Sequence, residues 1–195
     1  MQWIRIAALA LCLASPLGAE TLLRPGDAAR LDRTDTHLGA ALREAFAIGA
    51  PDDIAALARA MAGTPVAPDR LRLGGDWQCN TIKAGKIAAL VVYRPFRCRI
   101  TRDGDGWWFA KLSGSQLTRG RIELRDGLPV YTGVGYVSGD DPPGYDALPD
   151  VLNATDSPQR TAVVGILEQT GDNAARILLP APMLESRFDI LVLRR

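Results

Sequence analysis

The sequence predicts a mainly β protein with N-terminal helices. It should form an antiparallel barrel of about eight strands, lipocalin- or calycin-like, with two helices covering one wall. Three observations carry this. Apolar spacing follows a helical period up to about residue 66 and a period of two from Leu71 onward. Short apolar runs then recur to the C-terminus, separated by Gly, Pro and Asp turn signals. One of those runs, Lys86–Tyr93, is apolar on both faces, so something must cover its outer side.

The chain begins with the layout of a secretory signal peptide, Met1–Ala19. Arg5 precedes an apolar run, Ile6–Leu13, and Gly18 and Ala19 supply small residues for cleavage. The run is well short of the ~20 residues a spanning helix needs. A buried N-terminal helix would leave Arg5 and Pro16 unexplained. A lipoprotein would use Cys12, but Leu11 stands where a small residue is needed. The expected location is periplasmic or secreted. Residues 20–195 read as one domain, with a helical arm over 20–66 and the barrel over 70–195.

The whole chain has 23 basic and 22 acidic residues, and removing Arg5 balances them. No basic stripe points to nucleic acid. No later apolar run reaches spanning length, so no transmembrane helix is expected after signal cleavage. Outside the leader the cysteines are Cys79 and Cys98, an even count that favours a disulfide in an exported protein. Closing a loop of about twenty residues would stabilise by roughly 3 kcal/mol.

In chain order, Glu20–Arg33 is polar, is broken by Pro25-Gly26, and reads as an irregular arm. Leu38, Ala41, Leu42, Ala45 and Phe46 then recur at helical spacing, with Asp35 or Thr36 as the N-cap and Gly49 as the stop. Pro51 opens a second helix, with Asp52 and Asp53 at its positive end and a stop at Gly63. Strands follow around Trp77–Cys79, Lys86–Tyr93 and Phe96–Thr101. After an Asp103-Gly-Asp-Gly hairpin turn comes Trp107–Leu112. Further strands are expected at 116–125, 128–137, 160–169, 174–179 and 185–193. The stretch 138–158 is the longest loop and the expected mobile segment.

One geometric tension arises at once. If Arg94-Pro95 is a tight turn, Cys79 and Cys98 flank an intervening strand, about 9.5 Å apart. A disulfide needs Cα atoms within about 7 Å. Either the break at Pro95 is a bulge, or the first strand bends away at Cys79.

Four stretches carry a family likeness: Gly75-Asp-Trp-Gln-Cys, Phe96-Arg-Cys-Arg-Ile, Lys111-Leu-Ser-Gly-Ser-Gln, and Leu179-Pro-Ala-Pro with Glu185-Ser-Arg-Phe-Asp-Ile-Leu. Together they resemble the bacterial family called domain of unknown function 4893. The resemblance implies an exported protein and a shared fold, and it transfers no catalytic residue. Separately, Gly75-Asp-Trp77 resembles the entry strand of lipocalin-like barrels. There a tryptophan plugs one end under an arginine from the last strand, a role open here to Arg187 or Arg194. The alternative is an ordinary core tryptophan.

No catalytic constellation stands out, and no cofactor motif is present. His37 is the only histidine, too few for a triad or a zinc site. Ser113 and Ser115 lie outside a Gly-x-Ser-x-Gly elbow and read as turn residues. Asp103-Gly-Asp-Gly lacks the glutamate of a calcium loop. Asp140, Asp141, Asp146 and Asp150 read as solvated loop residues rather than a cation site. Gly133-Val-Gly135 lacks the helix of a dinucleotide site and reads as close packing or strand bending.

The candidate binding residues are Trp77, Lys111, Ser113, Gln116 and Arg119. The last four, with Arg97 and Arg99, would form a cationic patch or simply a solvated rim. The leading expectation is a non-catalytic envelope barrel that binds a small ligand or an envelope protein. Its cavity would be lined by side chains such as Phe96, Ile100, Trp107 and Val130. The alternatives are an inhibitor of an exported protease, a hydrolase with an atypical site at Ser113–Arg119, and a purely structural envelope factor.

Overall fold

The computed structural model describes residues 21–195, so the signal-peptide reading of Met1–Ala19 lies outside the described residues. Three helices precede the strands: α1 (Pro25–Asp32), α2 (Thr34–Ile48) and α3 (Pro51–Met61). The strands are β1 (Gly75–Ala84), β2 (Leu90–Val92), β3 (Phe96–Asp103), β4 (Gly106–Lys111), β5 (Gln116–Arg125), β6 (Leu128–Val137), β7 (Arg160–Gly171), β8 (Ala174–Pro180) and β9 (Phe188–Arg194). Strands β1 and β3–β9 pair antiparallel in chain order, and β9 returns to β1 from Gln78↔Arg194 to Ala84↔Phe188. The result is a closed eight-stranded barrel with β2 as an extra strand.

The tension at Pro95 resolves as a bulge. β2 and β3 lie on the same edge of β1, one after the other, and both run antiparallel to it. Ile82 faces Val92, and Cys79 faces Phe96. Asn80 and Thr81 therefore oppose Tyr93, Arg94 and Pro95, one residue more on the second strand. Proline is tolerated there because the ladder is already interrupted. No strand intervenes between the cysteines. Cys79 and Cys98 are diagonal neighbours on one hairpin, joined at a Cα separation of 5.9 Å.

The sequence places the doubly apolar run at Lys86–Tyr93, but only Leu90–Val92 is strand, and Ile87 is exposed in the turn before it. Leu90 and Val92 do pack beneath the helices. They join Ala41 and Ala45 of α2, Leu57 and Ala60 of α3, and outward side chains of β8 and β9, including Leu178, Ile190 and Val192. Arg176 of β8 reaches outward to hold the carbonyls of Ala60 and Ala62 at the end of α3, satisfying groups a helix terminus leaves open.

Two regions depart from expectation. Pro25–Asp32 is a helix rather than an irregular arm. Its one buried residue is Asp27 rather than an apolar stripe, so no hydrophobic period announced it. Asp27 binds Arg30 at 2.8 Å and accepts a hydrogen bond from the Tyr145 hydroxyl at 2.7 Å. Tyr145 belongs to the long loop, which is docked at several points. Tyr145 and Leu148 pack on Val134, Ala162 and Val164, while Asp140 pairs with Arg160 and Asp141 with Arg119.

Candidate functional site

Inward positions alternate along the strands, and the inward rows of β1, β4 and β9 change character in the same direction. On β1 the row runs Trp77, Cys79, Thr81, Lys83; on β4 it runs Trp107, Phe109, Lys111. On β9, read backward, it runs Leu193, Leu191, Asp189. One end of the barrel is therefore apolar and filled: Ile100, Phe109, Ile122, Tyr131, Ile177 and Leu193 are essentially inaccessible to solvent. The other end is polar and incompletely filled.

The filled end is also closed from outside. Trp77 donates its indole N–H to the Leu73 carbonyl at 2.8 Å. The Arg195 guanidinium lies over the ring at 4.1 Å, anchored on the carbonyls of Gly74 and Arg72. The cation comes from Arg195, just past the last strand, and not from Arg187 or Arg194. Arg187 instead pairs with Glu44 of α2, and Arg194 faces Gln78 in the ladder.

The polar end holds a cavity of about 120 Å³. Lys83, Lys111, Gln116, Thr118, Thr161 and Asp189 line it, over an apolar floor that includes Val163, Leu179 and Leu191. Lys111 is only 8 % exposed. Its Nζ donates to the Gln116 carbonyl at 2.6 Å and sits 4.0 Å from the centre of the Phe96 ring. Burial, with the charge of Lys83 nearby, pulls its pKa down to about 8. Asp189 is equally buried and accepts a 2.5 Å hydrogen bond from the Ser186 hydroxyl. Burial pushes its pKa up to about 6, against the opposing pull of Ser186 and Lys83. Lys83 is paired with Glu185 at 2.6 Å.

Over residues 20–193 the chain matches the family described as Domain of unknown function (DUF4893). It belongs to that family. No curated protein and no solved structure matches it.

The DUF4893 barrel separates the residues that the sequence grouped together. Lys111 and Gln116 face the cavity. Ser113 sits in the turn outside it, where its hydroxyl accepts the Arg97 backbone N–H at 2.9 Å. Arg119 points to the outer face, bound to Asp141 at 2.7 Å and to the Pro142 carbonyl at 2.6 Å. Trp77 lies at the opposite end. The expected apolar lining is also displaced, because Ile100 and Trp107 belong to the packed core and neither they nor Phe96 and Val130 line the cavity.

Thr81, Lys83, Thr118, Thr161 and Asp189 were not singled out by the sequence. A signal existed for Asp189. It is the one charge inside Phe188–Leu193, a strand buried on both faces, and such a residue is rarely there by accident of packing.

Proposed function

We propose that this DUF4893 protein is a non-catalytic binding barrel of the bacterial cell envelope, exported to the periplasm or beyond, that takes a small molecule in its open mouth. The observation that carries this reading is the asymmetry of the interior. One end is packed and sealed by Trp77 and Arg195, and the other keeps about 120 Å³ of space among buried polar groups. At roughly 30 Å³ per water that is room for about four waters. It suits a compact ligand, or the head group of a longer one, better than a drug-sized molecule.

The Cys79–Cys98 disulfide fits an oxidising compartment. Among the described residues no helix is long and apolar enough to cross a membrane. The hydrolase alternative finds less support. The Ser113 hydroxyl is occupied by a backbone N–H, Arg119 faces away from Lys111's cavity, and His37 on α2 lies outside it. A nucleophile needs a base within hydrogen-bond reach.

Native mass spectrometry of the protein purified from its exporting cell tests the proposal. The expected result is an added mass on the folded protein that disappears on denaturation. A bare mass in gentle preparations, together with a protein that no cell extract stabilises against heat, would overturn it.

A further inference from the structure

Four charged side chains, Arg30, Lys83, Lys111 and Asp189, line the cavity, and only two of them are ion-paired. Arg30 is paired with Asp27 at 2.8 Å, and Lys83 with Glu185 at 2.6 Å. Lys111 and Asp189 have no ion-pair partner among the described residues, and each is more than nine-tenths buried. Lys111 spends one N–H on the Gln116 carbonyl, and Asp189 receives one hydrogen bond from Ser186. An ammonium has three donors and a carboxylate about four acceptor sites, so both retain capacity. They stand on β4 and β9, which are not neighbours in the barrel, and both line the same cavity.

An uncompensated buried charge is costly, and two opposite ones would normally pair. Here both line one cavity and form no ion pair with each other. We infer that the cavity is built for a compact zwitterion of the amino-acid class, its carboxylate on Lys111 and its ammonium toward Asp189. The inference rests on the binding-barrel reading and names its ligand chemistry. A zwitterion adds no net charge to the mouth while giving each buried group a counter-charge. Thr161 and the Gln116 amide N–H groups can accept or donate around it, while the Thr118 hydroxyl is joined to Tyr131 at 2.6 Å and Gln116 Oε1 accepts from Lys83, and Leu179, Leu191 and Val163 meet its carbon skeleton. The upward shift at Asp189 and the downward shift at Lys111 are what two charges waiting for a partner should show.

The test is a calorimetric and NMR titration at pH 7 of the full exported chain with glycine, β-alanine, 4-aminobutyrate, glycolate, propionate and ethylamine. At least one of the amino acids should bind about tenfold or more tightly than propionate and ethylamine, because each charge-assisted hydrogen bond contributes on that scale. Asp189→Asn should erase the preference for the amino acid over propionate. Lys111→Met should erase its preference over ethylamine. The Trp77 indole N–H resonance, at the far end of the barrel, reports that each variant is folded.

Three results would overturn the inference: equal binding of propionate and the amino acids, unchanged affinity in both variants, or no binding by any amino acid at about 10 mM. Preference for glycolate would replace the zwitterion with a hydroxy acid and so also overturn it as stated. If the protein from its own cell retains a molecule lacking an amine and an acid, this inference fails while the binding reading stands. If no amino acid binds, the purified protein retains nothing and no cell extract stabilises it against heat, both fail.

Discussion

The Arg195 guanidinium lies 4.1 Å from the centre of the Trp77 ring and closes the filled end of the barrel. Its nitrogens reach the carbonyls of Gly74, Arg72 and Asp172, so one side chain ties the end of β9 to the chain entering β1. Arg195→Ala should lower stability by about 1–2 kcal/mol, from the lost cation–π contact and the freed carbonyls. Urea unfolding measures the loss. Hydrogen exchange at the Trp77 indole should quicken in the same variant, and an unchanged rate would mean that Arg195 does not seal this end.

The disulfide should stabilise through the unfolded state. Cys79 and Cys98 are 19 residues apart in the chain and both are buried. The Cys79→Ala/Cys98→Ala double variant is expected to lose about 2–4 kcal/mol while keeping the barrel's circular-dichroism spectrum. A melting temperature equal to the parent's would contradict this.

Gly133 lets the Tyr131 ring lie across the barrel wall. A Cβ there would stand 2.3 Å from the Tyr131 hydroxyl and 2.6 Å from the Arg119 carbonyl, and opposite it a Cβ on Gly120 would meet the Thr132 carbonyl at 2.1 Å. Backbone cannot give way cheaply, so Gly133→Ala should cost about 2–4 kcal/mol. Gly144→Ala is the control. Nothing lies within 4 Å of its Cβ position, and its φ of −65° and ψ of 165° are ordinary extended backbone, so the change should be nearly neutral. Thermal unfolding of both variants decides.

Much of the fold was legible because strands and helices announce themselves by period. The spans 116–125 and 128–137 are strands as read, and α2 and α3 fall where the apolar spacing places them. The bulge at Pro95 was legible only as a conflict, since local sequence does not say which edge of β1 the chain rejoins. α1 was hidden because it is held by Asp27, Arg30 and Tyr145 rather than by an apolar face. The cavity was half legible. Lys111 and Gln116 stood out in a polar turn, but Lys83, Thr118 and Asp189 come from strands distant in the chain, and only barrel closure brings them together. Arg119 was misgrouped with Lys111 because the turn at 112–115 sets their side chains on opposite faces of the wall.

The buried charges predict opposite pH dependences. Asp189 is raised to about 6 from its ordinary 3.8, so the folded state holds its proton more tightly. Its contribution is fully present below about pH 3.8 and is lost as pH rises through about 6. Lys111 is lowered to about 8 from 10.5, so its contribution is present above about pH 10.5 and is lost as pH falls through about 8. At pH 7 both oppose folding, each by about 1–3 kcal/mol. Asp189→Asn and Lys111→Met should therefore each be more stable than the parent at pH 7. The advantage of Asp189→Asn should vanish toward pH 4, and that of Lys111→Met toward pH 10. Urea titrations across pH check this, and parallel curves would contradict it.

The central claim is that ligand binding belongs to the open mouth and not to the sealed end or the outer wall. Methyl NMR of the labelled barrel, titrated with the small-molecule fraction of its source cell, tests this most directly. Shifts are expected at Leu117, Val163, Leu179 and Leu191, which line the cavity, with Ile100, Ile122 and Ile177 of the packed end unmoved. Shifts confined to the helices or the packed end, or none at any methyl, would contradict it.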